Sequence, residues 1–199
     1  MRLSKYFLCL GVFALALLPT CSAQRAIILV RHAEKIADDM NGIDVPLSKA
    51  GQERARLLAE MLKDSGITVI YASDTVRTRD TARPTAKVLR LPIKMLDQRN
   101  PAAAVKRMQR ENADDIVLIV GHADTLPSLL EALGYRREIR IPSNDYTNFF
   151  VVIPHPGKAP SVIRVGYGED EDEHERDARR KDAPTPRRKA APSPPPGQP

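Results

Sequence analysis

Two short aliphatic runs, each ending in a histidine, constrain this chain more than any other feature. Ile27-Ile28-Leu29-Val30 is followed at once by Arg31-His32, and Ile116-Val117-Leu118-Ile119-Val120 by Gly121-His122. Such runs are short for a helix and show no polar alternation, which is the pattern of a strand covered on both faces in a parallel sheet. In an open α/β sheet, ligands gather just beyond the carboxyl ends of such strands. A third run, Val69 to Ala72, leads into Ser73-Asp74-Thr75-Val76-Arg77, a helix start that carries Arg77 in its first turns, where backbone N–H groups also favour anions. An Arg-His pair alone is an ordinary surface dipeptide. Three strand ends offering two Arg and two His suit a phosphoryl group, because guanidinium forks match its oxygens and imidazole can attack phosphorus or donate a hydrogen bond.

The residues R-H-A-E-K (31–35), L-S-K-A-G-Q-E-R-A (47–55), S-D-T-V-R-T-R-D-T-A (73–82) and V-G-H-A-D-T (120–125), in this order, resemble the histidine phosphatase (phosphoglycerate mutase-like) superfamily in its small phosphatase-like branch. The resemblance runs from about Arg25 to Gly168. It implies an α/β fold of three layers, with a mostly parallel central sheet and helices on both faces. It also implies that His32 is phosphorylated, with Arg31, Arg77 and His122 forming the phosphate pocket of a histidine acid phosphatase-type monoester hydrolase. Family members often carry Gly after the His and Thr two places further on; here these are Ala33 and Lys35. Mutases and many phosphatases take a proton donor from the segment after the second motif. Asp97 is the nearest candidate here, with Glu34 and Asp124 as others.

The residues themselves give a compatible chemistry. A neutral His32 nitrogen attacks phosphorus, the alcohol leaves, and water hydrolyses the phosphohistidine. The ring must be held in one tautomer through its other nitrogen, by a backbone carbonyl in the simplest arrangement. Arg31, Arg77 and His122 would surround the equatorial oxygens, where the transition-state charge spreads. No cofactor or metal is called for: the arginines supply the positive charge, and four histidines (His32, His122, His155, His174) show no metal-ligand spacing. His155 and His174 read as solvated. The expected partner is a phosphate ester, on a small molecule or a macromolecule; a missing acid favours good leaving groups or phosphohistidine. The alternatives are phosphoglycerate mutase-type phosphoryl transfer and a non-catalytic module that binds phosphorylated ligands in an envelope.

The ends differ from the middle. Arg2 and Lys5 precede an apolar run from Tyr6 to Leu18, short for a membrane span, and Cys21-Ser22-Ala23 follows, so residues 1–23 read as a secretory signal cut after Ala23. The expected location is the periplasm or the exterior; an uncleaved anchor and a lipoprotein on Cys21 are the alternatives. Cleavage removes both cysteines (Cys9 and Cys21), and loss of Arg2 and Lys5 lowers the net charge from +6 to +4. No stable membrane span would then remain. Residues 169–199 are acidic, then basic, then Pro-rich, with almost nothing to bury, and read as a disordered, solvating tail. Opposite charges nearly cancel there, and the core lacks a basic stripe interleaved with aromatics, so no nucleic-acid partner is expected.

Residues 24–168 between them read as one domain. Ser48 caps a helix to about Asp64 with Ala55, Leu58, Ala59 and Leu62 inward, and Arg54 and Arg56 on its solvated face. Ile67–Ala72 is a strand. Ser73 or Asp74 caps a helix near Thr75–Ala82, with a break at or near Pro84 and with Arg79 and Arg83 off its site-facing side. Pro92–Leu96 is an edge strand, Pro101 starts a helix with Val105 and Met108 inward, and residues 123–133 form a helix ended by Gly134. Arg136–Pro142 suggests an edge segment, Asp145-Tyr146 a structural turn, and Phe149–Ile153 with Ser161–Val165 a hairpin around Pro154–Pro160.

Overall fold

The computed structural model describes residues 25–36 and 44–168. The expected signal (1–23), the tail with His174 and most of the loop 37–46 lie outside these residues.

Six strands form one sheet in the order β3-β2-β4-β1-β5-β6, with β1 Ala26–Arg31, β2 Val69–Ser73, β3 Ile93–Leu96, β4 Ile116–Gly121, β5 Asn148–His155 and β6 Lys158–Gly166. β1, β2, β3 and β4 run parallel, and β5 and β6 are antiparallel additions beside β1. The aliphatic runs of β1 and β4 lie side by side, Ile27 opposite Val117 and Arg31 opposite Gly121, and are buried on both faces.

Alternate side chains enter two hydrophobic layers. Ile28, Val30, Ile70, Leu118 and Val120 pack against Leu58 and Leu62 of α1 (Lys49–Leu62) and Ala82 and Ala86 of α2 (Val76–Leu89). Ile27, Leu29, Val117 and Ile119 pack against Val105 and Met108 of α3 (Pro101–Glu111) and Leu126, Leu129 and Leu130 of α4 (Thr125–Ala132). The result is the three-layer α/β arrangement, mostly parallel, with helices on both faces.

Local chemistry explains most boundaries. The Ser48 side chain accepts from Gly51 N–H and starts α1, and Asn100 does the same for α3, with Pro101 at its first position. Four expectations are corrected. Thr75, not Ser73 or Asp74, caps α2, because Ser73 is the last residue of β2 and points into the structure. α2 does not break at Pro84 but continues to Leu89: Thr78, Thr81, Ala82, Thr85 and Ala86 form one buried stripe that spans the proline, and packing of that stripe outweighs the missing N–H. Residues 136–142 form no strand. The hairpin turns at Pro156-Gly157 alone, with Gly157 at φ 69°, so both its strands are longer than the sequence pattern suggested.

Candidate active site

Because β1, β2 and β4 are parallel, their carboxyl ends share one edge of the sheet. Arg31-His32, Ser73 and Gly121-His122 therefore emerge together, and the His32 N–H donates to Gly121 O at 2.8 Å. The two imidazoles meet edge to face, ring centres 5.1 Å apart. Nδ1 of His32 lies 2.7 Å from the Ala33 carbonyl oxygen. A carbonyl only accepts, so Nδ1 carries the proton and Nε2 keeps the lone pair. Burial lowers the His32 pKa to about 3; the Ala33 carbonyl opposes the shift, and His122, Arg31 and Arg77 reinforce it. Burial likewise lowers His122 to about 4, reinforced by Arg77 and Arg31 and opposed by Asp124 and Asp44. Both rings are neutral at neutral pH. His122 Nε2 sits 2.9 Å from Ser73 Oγ, which donates to Thr78 Oγ1 on α2 at 3.0 Å.

Arg77 is half-buried. Its Nη1 donates to Asp44 Oδ1 at 3.2 Å, and Asp44 Oδ2 accepts from Val76 N–H at the start of α2. Arg31 stands beside His32, yet its guanidinium departs from the expected phosphate contact. Nη1 donates to the carbonyls of Pro142 (3.0 Å) and Asp145 (2.8 Å), and Nη2 to that of Ser143 (2.7 Å). These bonds fix it under Tyr146, whose ring centre is 4.0 Å from the guanidinium carbon and 5.8 Å from the His32 ring centre. Tyr146 is thus a site residue that the sequence reading confined to a turn. Its signal, an aromatic just before a strand, is too common to have found it.

The candidate acids divide. Glu34 is corrected: its Oε1 receives both Nε (2.7 Å) and Nη2 (2.6 Å) of Arg54, and the pair is buried. Arg54 is therefore not on a solvated face. Its position in the buried stripe of α1 puts it against Glu34 and against the Tyr167 carbonyl, which accepts from Nη1 at 2.6 Å. Asp97 is exposed beyond the end of β3, held below its usual range chiefly by the backbone N–H of Arg99 and then by its side chain. Asp124 is exposed and makes no capping bond to α4. Arg79 and Arg83 pair with Asp74 and Asp80 at the surface. His155 is exposed and bonded to Ser161. A cleft of about 970 Å³ opens beside His122 along β3 and α3, with Tyr71, Leu96 and Met108 among its apolar lining and Lys94, Asp97 and Arg107 among its charged groups. Among the described residues, no three His, Cys, Asp or Glu side chains are grouped to hold a metal ion, and no helix is long and apolar enough to cross a membrane.

Residues 27–100 match the family model described as histidine phosphatase superfamily (branch 1). A probable phosphoglycerate mutase of Photorhabdus laumondii is 36% identical over 94 residues, 45% of this chain and 43% of that protein. A 2,3-bisphosphoglycerate-dependent phosphoglycerate mutase of Methanosarcina mazei is 44% identical over 59 residues, 28% of this chain and 24% of that protein. The chain thus spans less than half the length of these curated relatives. Among solved structures, the protein histidine phosphatase SixA complexed with tungstate superposes with a TM-score of 0.59 at 18% identity, covering 71% of this chain and 96% of SixA. A phosphoserine phosphatase from Entamoeba histolytica gives 0.58 at 12% identity over 74% of this chain and 99% of its own. At these identities the structures speak for the shared fold.

Proposed function

We propose that this chain, whose residues 27–100 match the family model of the histidine phosphatase superfamily (branch 1), is a metal-independent phosphatase working through a phosphohistidine on His32. The carrying observation is the orientation of one imidazole: Nδ1–H tied to the Ala33 carbonyl, Nε2 unprotonated, with the second imidazole 5.1 Å away. Nε2 of neutral His32 attacks phosphorus, the P–O bond to the alcohol breaks, and water then cleaves the P–N bond to release phosphate. Arg77 flanks the transferred group as a donor to its oxygens, and His122 joins it once its Nε2–H turns from Ser73 Oγ to the phosphoryl oxygens. Arg31 acts from the carbonyl-lined position under Tyr146 as a fixed positive charge.

Of the three candidate carboxyls, Glu34 and Asp97 are engaged by arginines, and Asp124, next to His122 but exposed, is the one left to protonate the departing alcohol. Asp44 is likewise bound by Arg77, and Asp97 is held ionised by Arg99. Reliance on one exposed carboxyl favours substrates whose leaving groups need little protonation, such as aryl phosphates and phosphohistidine. The cleft beside His122 gives such a group room. The signal-like residues 1–23 support action outside the cytoplasm, on a phosphate ester of a small molecule or macromolecule. The curated mutase relatives favour one further reading, transfer between phosphoglycerates, which adding that substrate to the assay separates.

The test is hydrolysis of a chromogenic phosphate ester by the purified protein in EDTA, beside His32→Ala. The expected outcome is turnover that survives chelation, disappears in the variant, and leaves an acid-labile, alkali-stable phosphoryl label on the wild type. Equal rates in the two proteins would remove His32 as the nucleophile.

A further inference from the structure

We infer that Glu34 and Arg54 form a positioning pair that sets the tautomer of His32 by fixing the peptide after it. The inference rests on the assignment of His32 as nucleophile. The Ala33 carbonyl that holds Nδ1–H belongs to the peptide plane between Ala33 and Glu34. The two residues that flank that plane are each held. On one side, Ala33 N–H donates to Thr81 Oγ1 at 2.9 Å, and Thr81 Oγ1 donates in turn to the Arg77 carbonyl at 2.8 Å. On the other, Ser48 N–H donates to the Glu34 carbonyl at 2.9 Å, and the Glu34 carboxylate receives two N–H groups of Arg54.

Gly51 closes the arrangement. A Cβ at that position would lie 2.0 Å from Glu34 O, so the first turn of α1 presses directly on the Glu34 backbone. Arg54 is itself fixed by the Tyr167 carbonyl. A rotation of the 33–34 peptide that freed Nδ1 must move the Glu34 backbone, and the Arg54 contact resists that motion. Glu34 Oε2 is buried with no hydrogen-bond partner among the described residues. A carboxylate retained under those conditions, within two residues of the nucleophile and outside the pocket, fits a role in geometry.

The first variant is the double substitution Glu34→Leu/Arg54→Met, which removes the pair without stranding a charge. If it folds, kcat should fall roughly tenfold to a hundredfold, with KM within about twofold. The imidazole nitrogen spectrum should show His32 as a tautomer mixture where the wild type shows protonated Nδ1 alone. Glu34→Gln, which still accepts from Arg54, should keep the single tautomer and most of kcat. A folded double variant with wild-type kcat and one tautomer would overturn the inference. Should the double variant not fold, Glu34→Ala decides, since Arg54 stays bonded to the Tyr167 carbonyl: a mixed tautomer with lowered kcat and unmoved KM supports the pair, and wild-type values overturn it. The spectrum separates the two ideas. A wild-type protein with a single His32 tautomer and no phosphatase turnover would count against the proposed activity alone.

Discussion

The parallel strands at the centre of the sheet and the antiparallel hairpin at its side are built to different rules. β1, β2 and β4 are buried along nearly their whole length, and each ends at a residue of the site or next to one. β6 is exposed at most positions. Yet the site depends on both parts. The loop leading into β5 supplies the three carbonyls and the aromatic ring that fix Arg31. Parallel strands deliver the reactive groups, and the antiparallel addition supplies a holder for one of them.

If this division is right, core substitutions in the parallel part should dominate stability. Leu29→Ala empties a fully buried site between β4 and β5 and should cost about 2–5 kcal/mol in urea unfolding. A loss below about 1 kcal/mol would mean that this layer is loosely packed and the contrast overstated. Next in size is Tyr146→Leu, on the antiparallel side. It removes the ring stacked on Arg31 and beside His32, and kcat/KM should drop about tenfold or more while the unfolding midpoint moves little. An unchanged kcat/KM would show that the carbonyls alone hold Arg31.

The buried imidazoles sharpen the comparison through pH. His32 titrates near 3 in the folded protein and near 6.5 when unfolded. Between those values the unfolded chain binds more protons, so stability rises with pH up to about 6.5 and is lost as pH falls below it. One such group changes stability by at most about 1.4 kcal/mol per pH unit within that window. The difference in unfolding free energy between wild type and His32→Gln should therefore shrink from pH 7 to pH 5. A constant difference would mean that the ring is solvated in the folded state. The same low value keeps His32 neutral in mild acid, so kcat/KM should show no acid limb near 6.5 from this residue.

How much of this could be read from the chain follows from the same division. Strands buried on both faces must be aliphatic throughout, so β1 and β4 announced themselves, and the polar residues that stop them marked His32 and His122. The helical stripe 55–58–59–62 was legible because burial repeats at helical spacing. Arg54 was not: a charged side chain can occupy a buried stripe only if a partner meets it there, and Glu34 reaches it through a loop that no periodicity describes. Arg31 was legible as a site residue but not as one held by carbonyls, because backbone oxygens of residues 142–145 carry no sequence signature. Pro84 misled for a related reason, since three of the five residues in the stripe that keeps α2 intact are threonines, which read as polar.

The smallest expected effect tests the exposed side of the contrast. Ile163 on β6 pairs with Val151 but leaves half its surface in water, 52%. Folding removes little apolar area there, so Ile163→Thr forfeits little burial, and threonine suits a half-exposed strand almost as well. The unfolding free energy should change by less than about 0.5 kcal/mol, and kcat/KM should match the wild type. Solubility is the more sensitive readout, because Ile163 and Val165 both show apolar surface on a strand at the edge of the sheet, where Pro160 and Arg164 already discourage pairing with another edge. If Ile163→Thr instead lowered stability as much as Leu29→Ala, the hairpin would be as deeply committed to the core as the parallel strands, and the separation between delivering and holding elements would fail.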